Sequence, residues 1–152
     1  MHSITTIGYE DATVKRFLAA LKAAEVDLLV DVRALASSRR PGFAKTALAA
    51  HLAGAGIEYL HLRSLGTPAA GRAAARAGRH QEMHAVFAEH LATPAAQEGL
   101  DTVEGLVKAG RRVCLLCLEA DPTHCHRSLV ADALAGRMPL RVDHLSAGDG
   151  DE

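Results

Sequence analysis

Tryptophan is absent from the 152 residues, and two tyrosines with three phenylalanines bring the aromatic share to only 3%. Few flat side chains are therefore on hand for a protein that holds single strands by stacking bases. A charge excess is missing too, since 17 basic and 18 acidic side chains leave a formal net charge of −1. That balance excludes a wholly basic nucleic-acid coat and an acidic tail protein. No apolar run approaches the ~18 residues of a membrane span, and Met1-His2-Ser3-Ile4 lacks the basic-then-apolar pattern of a secretory leader. Cysteine is scarce and odd in number, at three, which argues against an oxidised, disulfide-stapled scaffold. The expected setting is cytoplasmic, with no membrane partner. The paired Cys/His spacings of zinc modules are also missing, so neither metal nor cofactor is assigned.

What remains is close to the globular average, with 49% apolar and 23% charged residues. The length is that of one domain able to hold its own core. Residues 1–147 are expected to form it, with 148–152 as a frayed acidic tail.

Apolar patterning alternates between two periods. Ile4 to Ile7 is a short β-branched run stopped by Gly8, and Val14, Phe17, Leu18 and Leu21 follow at helical spacing. Asp27 to Val32 is a nearly continuous apolar run, as in a strand covered on both faces. A helix is expected over Lys45 to Ala53, a third strand over Ile57 to Leu60, and helices around Met83 to Leu91 and Pro94 to Ala109. Arg112 to Leu118 predicts a fourth strand, Ser128 to Leu134 a helix and Leu140 to His144 a last strand. Leu65 to Gly78 is rich in Gly, Ala and Arg without an apolar stripe, which predicts a mobile or ligand-ordered loop. The alternation implies an α/β fold: a single three-layer domain with a mainly parallel sheet of about five strands and helices on both faces.

Sheets of this kind bind ligands outside the carboxyl ends of their strands. There the sequence places Tyr9, Asp31 and Arg33, His61, and Cys117 with Glu119, whereas the opposite ends carry mainly Glu25, Asp27 and Arg112. After the fourth strand, Cys125, His126, Arg127 and Ser128 fall where a helix begins, a position whose free amides favour anions and lower a thiol pKa. Cys125 is therefore a candidate nucleophile and Cys117 a second, with Asp31, Glu119 and His126 available for proton transfer. Cys114 lies three residues from Cys117, on the opposite face of a strand, so the two are not a redox pair and Cys114 belongs in the core. Between Val32 and Gln81 eight basic residues stand against one acid, Glu58. Arg33, Arg39, Arg40, Arg127, Ser128, Tyr9 and His61 are the expected anion-binding set. His51, His80, His84 and His90 are expected to be solvated helix residues.

Thr6-Ile7-Gly8-Tyr9, Val30-Asp31-Val32-Arg33 with Ser38-Arg39-Arg40-Pro41-Gly42-Phe43, Gly56 to His61 with Leu65-Gly66, and Leu115 to Glu119 with Cys125-His126-Arg127 occur in order from Thr6 to about Leu134. Together they resemble the domain-of-unknown-function family numbered 488. That resemblance covers nearly the whole chain but implies no established activity, and the family more often carries a histidine where Tyr9 stands. A weaker architectural likeness to rhodanese domains rests on the Val-Asp-Val-Arg strand, the strand-end cysteine and the helix-start arginine. Cys117 to Arg127 is too long for the tight cradle those domains close around their thiol.

Three functions are compatible with these residues. The first is an enzyme for a small anionic, phosphorylated or nucleotide-like substrate. The second is a nucleic-acid-binding or nucleic-acid-processing protein that uses residues 33–79, with Tyr9, Tyr59 or Phe43 stacked on a base. The third is a non-catalytic sensor of a small anion. The sequence leaves oligomeric state open.

Overall fold

The computed structural model describes residues 1–147; the expected acidic tail, 148–152, lies outside the described residues. Five strands, β1 (His2–Gly8), β2 (Leu28–Asp31), β3 (Glu58–His61), β4 (Val113–Cys117) and β5 (Leu140–Leu145), form one sheet in the order β3-β2-β4-β1-β5. Every neighbouring pair is parallel, with Ile7 beside Leu116 and Asp31 beside both Leu116 and His61. Parallel pairing requires a crossover between strands. Helices α1 (Val14–Ala23), α2 (Lys45–Gly54), α3 (Ala69–Arg76), α4 (His80–Leu91), α5 (Pro94–Lys108) and α6 (His126–Ala135) supply the crossovers.

The pleat of β4 divides the core. Val113, Leu115 and Cys117 point into one apolar cluster with Met83, Phe87, Leu100 and Val130, whereas Cys114 and Leu116 point into another with Phe17, Leu21, Leu48 and Leu52. Helices therefore cover both faces, which is why all five residues of β4 are buried. Burying side chains of this size stabilises the fold by roughly 1.5–3 kcal/mol each before chain entropy is counted. Cys114 is shut in completely, and burial pushes its thiol pKa up to about 12.

Local signals fix several helix starts. The Thr13 hydroxyl accepts the Arg16 amide at the start of α1, and Thr93 does the same for Ala96 ahead of Pro94 in α5.

Helix α3 corrects the expected 65–78 loop. Its buried positions are Gly71 and Ala74, so the face it packs is built from very small residues. A 3-10 turn at Arg63–Leu65 precedes it. His90 also departs from expectation, because its Nε2 donates to the Ser64 carbonyl at 2.7 Å and ties α4 to that turn. Among the described residues no helix is long and apolar enough to cross a membrane.

Candidate functional site

The carboxyl ends of β1, β2 and β4 open into a cavity of about 240 Å³. Tyr9, Arg33, Cys117, Glu119 and His126 form its sheet-side wall, with His124 beside them. Arg72, Ala75 and Arg76 of α3 and Met83 of α4 are also part of the lining.

Behind the wall lies a buried ion pair. Asp31, at the end of β2, is fully shielded and receives Arg33 Nε and Nη2, the latter at 2.7 Å, together with the Tyr59 hydroxyl at 2.6 Å. Arg33 Nη1 donates to the Phe43 carbonyl at 2.8 Å and to the Tyr9 hydroxyl at 3.3 Å. Burial disfavours the Arg33 charge, but the carboxylate outweighs it and pushes the guanidinium pKa above its usual value. Burial and the bond to Asp31 likewise raise the Tyr59 pKa. Asp31 is thus engaged by its own neighbours, Arg33 and Tyr59. His61 supports the same knot by donating Nε2 to the Arg33 carbonyl at 2.7 Å.

The loop after β4 folds back on itself because Arg127 holds it. This side chain is wholly buried, donates to the Glu119 and Ala120 carbonyls, and places Nε 3.0 Å from the Thr6 hydroxyl. Gly8 leaves room for the fold-back, since a Cβ there would lie within 1.8 Å of the Glu119 carbonyl oxygen. A short 3-10 turn at Pro122–His124 follows, capped by Asp121, and the chain then enters α6. The Arg127 fork, expected to bind a ligand anion, is directed at the protein's own oxygens.

The fold-back carries Cys125 and His126 to Cys117. His126 Nε2 lies 2.7 Å from the Val32 carbonyl, which can only accept, so Nε2 carries a proton and Nδ1 faces the sulfurs. Cys117 Sγ is 3.6 Å from Nδ1, and Cys117 Sγ, Cys125 Sγ and His126 Nδ1 all lie within 4.8 Å of one another. Cys117 sits on the cavity wall, whereas Cys125 is fully buried and outside that wall, despite the cationic residues that follow it.

The electrostatics are shared across the cluster. The Cys117 pKa is raised by its hydrogen bond to Cys125 and by burial. Burial also opposes ionisation of Cys125, but Cys117, His126 and Arg127 prevail and lower its pKa below the usual thiol value. His126 is raised, with Cys125 and the Val32 carbonyl overcoming the effect of burial. Burial, followed by the charge of Cys125 and a hydrogen bond to it, pushes Glu119 up to about 7.

The remaining expected residues lie elsewhere. Arg40 Nε donates to the Ala12 carbonyl, Ser128 Oγ donates to the Cys125 carbonyl at 3.0 Å, and Arg39 is exposed away from the cavity wall. The aromatic residues suggested for base stacking are engaged internally. Tyr9 stacks on Phe43 at 4.8 Å, and Phe43 and Phe17 pack at right angles. Arg72, Arg76 and Met83 line the cavity but lie outside the expected anion-binding and catalytic sets. The two arginines lay in the segment expected to be a loop, and their positive charge was the only available signal.

A polar relay behind Arg127 gives a pH prediction. Thr6 Oγ1 accepts from Arg127 and lies 2.6 Å from His144 Nδ1, within hydrogen-bond distance. Burial and the Arg127 charge lower the His144 pKa, so the unfolded chain takes up this proton first, below about pH 6.5. Stability should be complete above that pH and decline as pH falls through it towards the folded pKa. His144→Asn, whose amide can still pair with Thr6 but does not titrate, should flatten this acid limb. Urea titrations of both proteins between about pH 7 and pH 5 test the prediction, and superimposable curves would remove His144 from the account.

A parallel α/β domain with a thiol, imidazole and carboxyl cluster at the carboxyl edge of its sheet defines the class. The model for the domain of unknown function DUF488 matches residues 13–134, and the chain belongs to that family. Searches of curated proteins and of solved structures give no match.

Proposed function

We propose that this domain is an enzyme for a small anionic substrate held in the cavity between α3 and the sheet edge. The observation that carries this reading is the pairing of two walls. Arg72 and Arg76 supply positive charge on one side, and Cys117, His126 and Glu119 supply reactive groups on the other. Arg33 adds little net charge because Asp31 neutralises it. Arg72 donates one Nη1 hydrogen to the Thr67 carbonyl at 2.9 Å, which orients its guanidinium at the cavity edge. Arg76 has no ion-pair partner among the described residues and is the side chain available to a phosphate or carboxylate. Cys117, rather than Cys125, presents sulfur to a bound molecule, and Glu119 can exchange a proton near neutrality.

The test is a binding screen with inorganic phosphate, nucleoside monophosphates and small dicarboxylates, read by thermal shift and calorimetry and followed by product analysis. At least one compound should stabilise the native protein and be converted. Combined Arg72→Gln and Arg76→Gln substitutions should weaken its binding by about ten-fold or more, the scale of losing a charge-assisted contact. Equal binding by this variant, or no binder at all, would overturn the anion site. Binding without conversion would leave a sensor and overturn the enzyme.

A further inference from the structure

Three soft donor atoms lie together at the end of β4 and the start of α6, although no single short motif contains them. Cys117 comes from the strand, and Cys125 and His126 arrive through the loop tied down by Arg127. Cys125 is extended, with φ −127° and ψ 140°, and His126 begins the helix. That change of backbone direction turns two consecutive side chains toward the same point.

We propose that Cys117, Cys125 and His126 bind a zinc-type divalent metal ion, with its fourth position open to the cavity beside Glu119. This deepens the enzyme reading by naming a cofactor for the same site, but binding of the ion can be measured without any substrate.

The dimensions suit a tetrahedral ion. Ordinary zinc bonds to sulfur and imidazole nitrogen give S···N edges of about 3.6 Å and S···S edges of about 3.8 Å. Here the Cys117–His126 edge is 3.6 Å, and every other edge is 4.8 Å or less. Thiolate and imidazole donors select zinc over magnesium or calcium. His126 already has the outer-shell support found at metal-bound imidazoles, because its far nitrogen donates to the Val32 carbonyl and its near lone pair faces the sulfurs.

Charge also closes around the site. Two thiolate ligands would balance the charge of a divalent cation. Cys117, Glu119 and His126 all line the cavity, which gives a fourth ligand a route to the ion. Three protein ligands with one open position describe a catalytic arrangement, whereas structural zinc sites are closed by four. On this reading both cysteines are ligands. A zinc ion held there would supply Lewis-acid chemistry at the cavity, with Glu119 on the wall beside it.

The test uses the tag-free 152-residue chain kept reduced with a phosphine. It is loaded with zinc and dialysed, and metal content is read by elemental mass spectrometry; a parallel sample is titrated with cobalt(II). One ion per chain and intense near-ultraviolet thiolate-to-cobalt absorption are expected, with visible bands of tetrahedral strength. Cys117→Ser, Cys125→Ser and His126→Gln should each weaken cobalt binding by about ten-fold or more, and each cysteine change should remove about half of the charge-transfer intensity. Cys114→Ser, on the other face of the sheet, should leave both unchanged.

Absence of thiolate-to-cobalt absorption in the native protein would overturn the metal site even if every variant misfolded. Its full retention in a folded Cys117→Ser protein would also overturn it. Repeating the anion screen on metal-free and zinc-loaded protein separates the two proposals. Metal binding without an anion or turnover would remove only the enzyme reading, and conversion at full rate by metal-free protein would remove the metal from it.

Discussion

Replacing Asp31 with alanine should lower the unfolding free energy by about 3–5 kcal/mol, the range expected when one member of a buried ion pair is removed. The cost comes from what is left behind. Arg33 would keep its charge inside the protein with only the Phe43 carbonyl and Tyr9 hydroxyl as side-chain partners, and Tyr59 would lose its acceptor. An exposed pair would behave differently. Arg79 and Glu82, both more than half exposed, should contribute well under about 1 kcal/mol. Urea unfolding of Asp31→Ala and of the double variant Asp31→Leu/Arg33→Met tests the explanation. The double variant should recover much of the loss because no unpaired charge remains. A single variant within about 1 kcal/mol of the native protein would mean that water reaches Arg33 readily and the pair is not truly dry.

Arg127→Met should cost about 3 kcal/mol, because it retains most of the apolar volume while leaving the Glu119 and Ala120 carbonyls without their donor. Hydrogen exchange should accelerate through residues 118–125, the loop that brings Cys125 and His126 to Cys117. Arg127→Lys should not rescue it, since one ammonium cannot reproduce a planar fork directed at three oxygens. A gain in stability for Arg127→Met would reverse the interpretation, showing that burial of the charge costs more than its hydrogen bonds return.

The architecture was legible because β2 and β4 are short, almost wholly apolar and bounded by polar residues, while the helices between them carry large side chains at regular spacing. Helix α3 was not. It packs through Gly71 and Ala74, and a face made of hydrogen and methyl groups leaves no hydrophobic stripe. Its arginines therefore looked like loop charge although they line the cavity. The site was readable in part, for Tyr9, Arg33, Cys117, Glu119 and His126 were expected at strand or helix ends and do meet at the cavity. The internal partners of Arg127 could not be read, because they are chiefly backbone carbonyls, which leave no mark in a side-chain pattern. The Cys117–Cys125–His126 cluster was hidden for another reason. Its spacing follows no local motif and becomes a cluster only once the loop has folded back.

The position of β1 in the sheet has a consequence for synthesis. This strand lies between β4 and β5, with Thr5 beside Cys114 and Asp143, so among the described strands the earliest translated pairs with the two translated latest. At about 5–20 residues per second a ribosome needs roughly 5–20 s to pass from one partner to the other. Throughout that interval Ile4 and Ile7 have no sheet to join. The newborn chain must carry a sticky amino-terminal segment until its distal end emerges, and timing during translation becomes part of how the cavity is built.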